Sequence, residues 1–165
     1  MKLLSDRLCT ALCFQIGHEQ YNANLYLHIA GFLKGKGLDN IASIFEEQWE
    51  EELKHSKIFF DLIADLNGEI SIPAIQEVAI TYSSILEIAN AFMEREVVTT
   101  KSIEEIRDLA ISEGNGVVEQ RCREMIEVQQ KEYGEATTFQ DRASLLSDGD
   151  STSWWRVALW DASLK

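Results

Sequence analysis

The sequence predicts an all-α four-helix bundle, with a long crossover between the second and third helices and a short fifth helix near the C-terminal end. Three observations carry this. Only 1 proline and 9 glycines interrupt 165 residues. Four long segments repeat apolar residues at alternating spacings of four and three. One of the connections between them is far longer than the other two. A chain of this length suits one domain, here residues 1–165, with the bundle over about 4–146 and the short helix over about 153–164.

The first helix is expected from about Leu4 to Lys34, stopped by Gly35-Lys36-Gly37. Asp39 is placed to cap the second, which runs to Leu66 and closes at Asn67-Gly68. Residues 67–82 hold the single proline, Pro73, and the β-branched Ile70, Ile72 and Ile75, and read as an extended connection. Sixteen extended residues reach about 50 Å, enough to return along a ~42 Å helix. Ser84-Ile85-Leu86-Glu87 fits a capping box that opens the third helix, lasting to about Glu113. Gly114-Asn115-Gly116 turns the chain into a fourth helix, Val117 to Leu146. Residues 147–151 read as a loop, and Ser153–Leu164 as the tryptophan-rich fifth helix. The apolar cluster Trp154 to Trp160 is expected to be buried against its own bundle or between subunits, and Trp49 at a subunit contact.

The four-three spacing defines one seam per helix. The seams are Leu8, Leu12, Gln15, Glu19, Asn22, Tyr26, Ile29 and Leu33; Ile41, Phe45, Gln48, Glu52, His55, Phe59, Leu62 and Leu66; Ile85, Ala89, Phe92, Glu96, Thr99, Ile103, Ile106 and Ala110; and Val118, Cys122, Met125, Gln129, Glu132, Ala136, Phe139 and Ala143. Each is apolar toward both ends and polar in the middle. An unpaired carboxylate in a bundle core costs several kcal/mol, and no seam offers a lysine or arginine near its centre. Four glutamates balance two divalent cations, and His55 adds a borderline ligand. Glu52-x-x-His55 alone, among Glu46, Glu47, Glu50 and Glu51, signals little. Its conjunction with Glu19, Glu96 and Glu132 on seam positions makes a metal site. His18 and His28 fall off the seams and are expected in structural or surface roles, while Cys122 and Met125 are expected to pack.

Charge and cysteine content narrow the partners. The net charge of −13 repels phosphate backbones and anionic lipid, so neither nucleic acid nor a membrane surface is an expected partner; cations are. Cys9, Cys13 and Cys122 suit reduced thiols in a cytoplasmic setting. Met1-Lys2-Leu3-Leu4 begins like a secretory leader, but Asp6 and Arg7 interrupt it and no cleavage site follows.

At these residues the chain resembles the bacterial non-haem ferritins, over nearly all of Leu4 to Leu164. The resemblance rests on HEQYNANLYLHIAGF (residues 18–32), EEELKHSKIFFDLI (50–63), YSSILEI (82–88) and the fourth-helix Gln129-x-x-Glu132. It implies a ferritin-like fold and an intra-subunit di-iron site. Glu19 and His55 would hold one iron, Glu52 would bridge, and Glu96 with Glu132 would hold the second. Tyr26 and Gln129 would be hydrogen-bonding neighbours, Gln129 at best a weak ligand. The implied activity is ferroxidase: Fe(II) is oxidised by O₂ or H₂O₂, and ferric oxyhydroxide is stored in a shell of twenty-four subunits. Glu51 matches one residue of a third iron position, but its two companions are Val128 and Lys131, which cannot bind iron. Two relatives of different function fit less well. A DNA-protecting mini-ferritin would carry a basic tail and a site shared between subunits. A redox-silent shell subunit would lack the ligand set.

Overall fold

The computed structural model describes residues 3–148 and 151–165. It contains α1 (Asp6–Gly35), α2 (Asp39–Asp65), α3 (Ile85–Ser112), α4 (Gly116–Leu145) and α5 (Trp154–Ser163), with a two-residue antiparallel pair, β1 (Ser147–Asp148) and β2 (Ser151–Thr152), before α5. The start at Met1-Lys2 and the centre of the predicted 147–151 loop, Gly149-Asp150, lie outside the described residues. The rest of that loop is the β1–β2 pair.

Three turns share one geometry. Gly37 (φ 74°), Asn67 (φ 54°) and Gly114 (φ 68°) occupy the left-handed region just past α1, α2 and α3. In each, the next residue's N–H reaches five residues back: Leu38 to Leu33 O (3.0 Å), Gly68 to Ile63 O (2.9 Å) and Asn115 to Ala110 O (2.9 Å). This closure satisfies carbonyls the helix end would otherwise leave bare, and it needs glycine or asparagine at the left-handed residue. The short turns after α1 and α3 pack α1 against α2 and α3 against α4 as antiparallel pairs. The helix-free crossover from residue 68 to Ser84 joins the pairs. It lies close on α1 at Gly17, where a Cβ would meet Pro73 Cγ at 2.4 Å.

Helix starts follow the sequence with one exception. Ser84 Oγ accepts from Glu87 N–H (3.1 Å), whereas the Glu87 carboxylate accepts from Ser83 N–H (2.7 Å), so the reciprocal half of the box closes one residue early. Asp39 does not cap α2. Leu38 holds the cap position without a side-chain bond because it is buried in the core, and Asp39 becomes the first helical residue. Asp161 of α5 supplies the missing acceptor, taking Ile41 N–H at 2.7 Å while Asn40 donates to its backbone oxygen at 3.0 Å.

Every seam position is buried, and the core divides in two. One cluster joins the C-terminal half of α1, the N-terminal half of α2, the start of α3 and the end of α4. Trp49, Trp154 and Trp160 pack against it. The other cluster lies at the opposite end, around Leu8, Leu12, Phe59, Ile103 and Met125. Between them runs a polar layer. Trp155 and Leu159 of α5 remain exposed. Among the described residues no helix is long and apolar enough to cross a membrane.

Candidate metal centre

Each helix delivers one polar stretch to this middle layer because the four-three rhythm keeps its stripe inward for its whole length. Glu19, Glu52 and Glu96 are fully enclosed, and His55 and Glu132 nearly so. Ligand atoms of Glu19, Glu52 and His55 lie within 4.8 Å of one another, as do those of Glu52, Glu96 and Glu132. The two triads share Glu52. The structure therefore brings together all five residues on which the sequence reading placed two ions.

The cluster is short of internal partners. Glu19 Oε2, both oxygens of Glu52, Glu96 Oε2 and His55 Nδ1 are buried without a hydrogen bond among the described residues. His55 Nε2 stands 3.3 Å from Glu132 Oε1, and no lysine or arginine is ion-paired to the four glutamates among the described residues. Burial pushes all four carboxyls upward, Glu96 to about 7 and Glu132 to about 9, with the neighbouring acids adding to the rise at Glu132. Unsatisfied buried carboxylates facing one another suit cations. Hard oxygen donors with one imidazole match a first-row divalent metal.

A hydrogen-bonded shell orients the ligands. Gln15 donates to Glu19 Oε1 at 2.7 Å, and Ser102 donates to Gln15 Oε1 at 2.5 Å. The Tyr26 hydroxyl donates to Glu96 Oε1, and Gln129 Nε2 donates to Glu132 Oε2. Burial and the surrounding carboxylates push the Tyr26 phenol well above its usual range, so it stays a donor. Tyr26 in turn rests edge-on against Phe92 with ring centroids 5.3 Å apart, which ties its position to the apolar cluster. An open groove of about 600 Å³ between α3 and α4, lined by Val97, Thr100, Gln129 and Tyr133 among others, reaches Gln129 from outside.

Glu51 is not part of this cluster. One residue before Glu52 on the same helix, it turns away, is exposed, and pairs with Lys54 at 2.6 Å, which holds its carboxyl below the usual range. Val128 is exposed and Lys131 stands 3.4 Å from Glu135.

Sequence reasoning missed one feature beside this centre. Arg95, just before Glu96, reaches across to α1. Its Nε donates to Asn22 Oδ1 at 2.8 Å, its Nη2 stands 3.2 Å from His18 Nδ1, and its guanidinium lies over the Tyr21 ring. His18 Nε2 and Asn22 Nδ2 both meet Thr99 Oγ1, at 2.7 and 2.9 Å. Burial first, then the Arg95 charge, lowers His18 to about 4, so it is neutral. The available signal was positional: His18 and Arg95 each directly precede a seam glutamate. His28, the other off-seam histidine, bonds the Ile80 carbonyl of the crossover at 2.6 Å.

Known proteins resemble this chain in sequence and in fold. The family model for the ferritin-like domain matches residues 9–145. A bacterial non-heme ferritin of Bacteroides fragilis is 26% identical over 67% of this chain and 70% of its own length. One of Staphylococcus epidermidis is 29% identical over 66% of this chain and 65% of its own. Among solved structures, an open pore ferritin from the hyperthermophilic archaeon Archaeoglobus fulgidus superposes with a TM-score of 0.90 at 26% identity, covering 99% of this chain and 98% of that one. An engineered closed form of the Archaeoglobus ferritin gives 0.88 at 26% identity, covering 98% and 96%.

Proposed function

Because the chain belongs to the ferritin-like domain family, we propose that it is an iron-storage ferroxidase, with Fe(II) as the substrate of the central carboxylate site. The observation that carries this reading is the pair of buried triads sharing Glu52, with five of their side-chain atoms making no hydrogen bond among the described residues. Glu19 and His55 would bind one iron, Glu96 and Glu132 the second, and Glu52 would lie between them. Oxygen-rich coordination stabilises Fe(III) over Fe(II) and so favours oxidation by O₂ or H₂O₂.

The protein's own contribution is to prepare that coordination. The raised carboxyls give up protons as cations arrive, so binding releases protons. Gln15 fixes the Glu19 carboxylate, Tyr26 fixes Glu96, and Gln129 fixes Glu132. Glu51 contributes no third position, since Val128 and Lys131 are not ligands. The groove beside Gln129 offers a path for small reactants.

Storage needs an enclosed volume, which one bundle cannot supply. The exposed Trp155 and Leu159 of α5, and Ile72 and Ile80 of the crossover, are apolar surfaces suited to contacts between copies. In our reading they close a shell of twenty-four subunits in the cytoplasm, within which ferric oxyhydroxide accumulates. The test is anaerobic loading with two Fe(II) per chain, followed by O₂ and optical detection of Fe(III). Wild-type protein should oxidise iron much faster than Glu52→Ala; equal rates overturn the proposal.

A further inference from the structure

We propose that Cys9 and Cys13 form a second metal site, selective for one soft monovalent cation of the Cu(I) type and separate from the carboxylate centre. The two residues lie one helical turn apart on α1, so both thiols sit on the face covered by the crossover. The Cys9 thiol donates to Glu69 O at 3.1 Å and the Cys13 thiol to the same oxygen at 3.7 Å, while Ser71 N–H donates to Cys13 Sγ at 3.4 Å. No disulfide joins them.

The chain is shaped to lay backbone over these sulfurs. A Cβ on Gly68 would strike Ile63 Cγ2 at 2.7 Å and Leu4 Cδ1 at 2.9 Å and come within 3.2 Å of Cys9 Sγ, and one on Gly17 would strike Pro73. Glycine at both positions lets residues 68–73 rest directly on α1. A cavity of about 220 Å³ opens beside the pair, with Thr10, Phe14 and Pro73 in its wall, and gives an ion access to two otherwise buried cysteines.

Spacing favours an ion over a disulfide. Cβ atoms four residues apart on a helix are about 5–6 Å apart. A disulfide needs about 3.8 Å and would distort the helix. Thiolate–metal bonds of about 2.3 Å hold two sulfurs about 4–4.6 Å apart, which that spacing permits. Donor type and number then select the metal. Thiolates prefer soft cations. Zinc's closed structural sites need four ligands, and neither cysteine belongs to a ligand group of three or more among the described residues. Cu(I) is satisfied by two sulfurs. On binding, each thiol releases its proton to solvent and its sulfur takes up the metal bond, with no change of oxidation state. Cys122 provides no alternative, being fully enclosed in the core, where burial pushes its thiol up to about 12.

The experiment is anaerobic Cu(I) titration of the full chain against a colorimetric Cu(I) chelator, with X-ray absorption at the copper edge. The expected result is one Cu(I) per chain with two sulfur neighbours, weakened roughly 100-fold or more in Cys9→Ser and in Cys13→Ser, and unchanged in Cys122→Ala. Serine keeps a donor for Glu69 O, and unchanged Fe(II) oxidation in the serine variants would confirm an intact bundle. The proposal is overturned if wild-type protein takes up no Cu(I), if its copper shows no sulfur pair, or if the serine variants bind as tightly as wild type. In that case the thiols only fasten the crossover to α1.

Discussion

In metal-free protein, replacing Glu96 with glutamine should raise stability at neutral pH while impairing metal binding. Burial places the Glu96 carboxyl at about 7, against an ordinary value of 4.5. The folded state therefore holds this proton more tightly than the unfolded chain does. Its contribution is fully present below about pH 4.5 and is lost as pH rises through about 7. At about 1.36 kcal/mol per pH unit, the loss is ~3 kcal/mol by pH 8. For a chain of this length that corresponds to a melting shift of roughly 6–12 °C. Glutamine keeps an oxygen to accept the Tyr26 hydroxyl and does not titrate. Calorimetry of chelator-treated protein between pH 5 and 8 should show wild-type stability falling with pH and a flatter slope for Glu96→Gln, with the variant ahead at pH 8. A wild-type slope equal to the variant's would refute the claim that a buried, uncompensated carboxylate defines this layer.

Other substitutions probe the supports. Tyr26→Phe leaves both Glu96 oxygens without a hydrogen bond and should cost about 1–3 kcal/mol in thermal melts while slowing iron oxidation. Arg95→Met removes the charge that helps hold His18 low, so an NMR titration should show the His18 pKa rising from about 4. Gly17→Ala should destabilise by about 1–3 kcal/mol because its Cβ collides with Pro73, whereas Gly31→Ala, with open space around it, should stabilise by up to about 1 kcal/mol. Asp161→Ala should cost about 0.5–2 kcal/mol by uncapping α2.

The bundle was legible because its strongest constraint is periodic: the four-three rhythm marks the most deeply buried stripe of each helix, although on α1 residues one step off it, such as Cys9, Ile16 and Leu25, are buried as well. The polar centre was legible for the same reason, since Glu19, Glu52, Glu96 and Glu132 occupy positions where only a shared partner makes burial tolerable. What escaped depends on contacts remote in sequence. The α2 cap comes from Asp161, about 120 residues away, and burial of Leu38 overrides the local preference for Asp39. Arg95 lies off the seam, and only the length of its side chain carries it to Asn22 and His18. The β1–β2 pair has two residues per strand, too short for any alternation to register.

The proposed function requires two ions at mid-bundle around Glu52. Iron-edge anomalous diffraction from crystals soaked anaerobically in Fe(II) tests it directly. Two peaks are expected, one beside Glu19 and His55 and one beside Glu96 and Glu132, with the Glu52 carboxylate between them. A bundle centre without iron, or iron bound only at surface carboxylates such as Glu51, would contradict it.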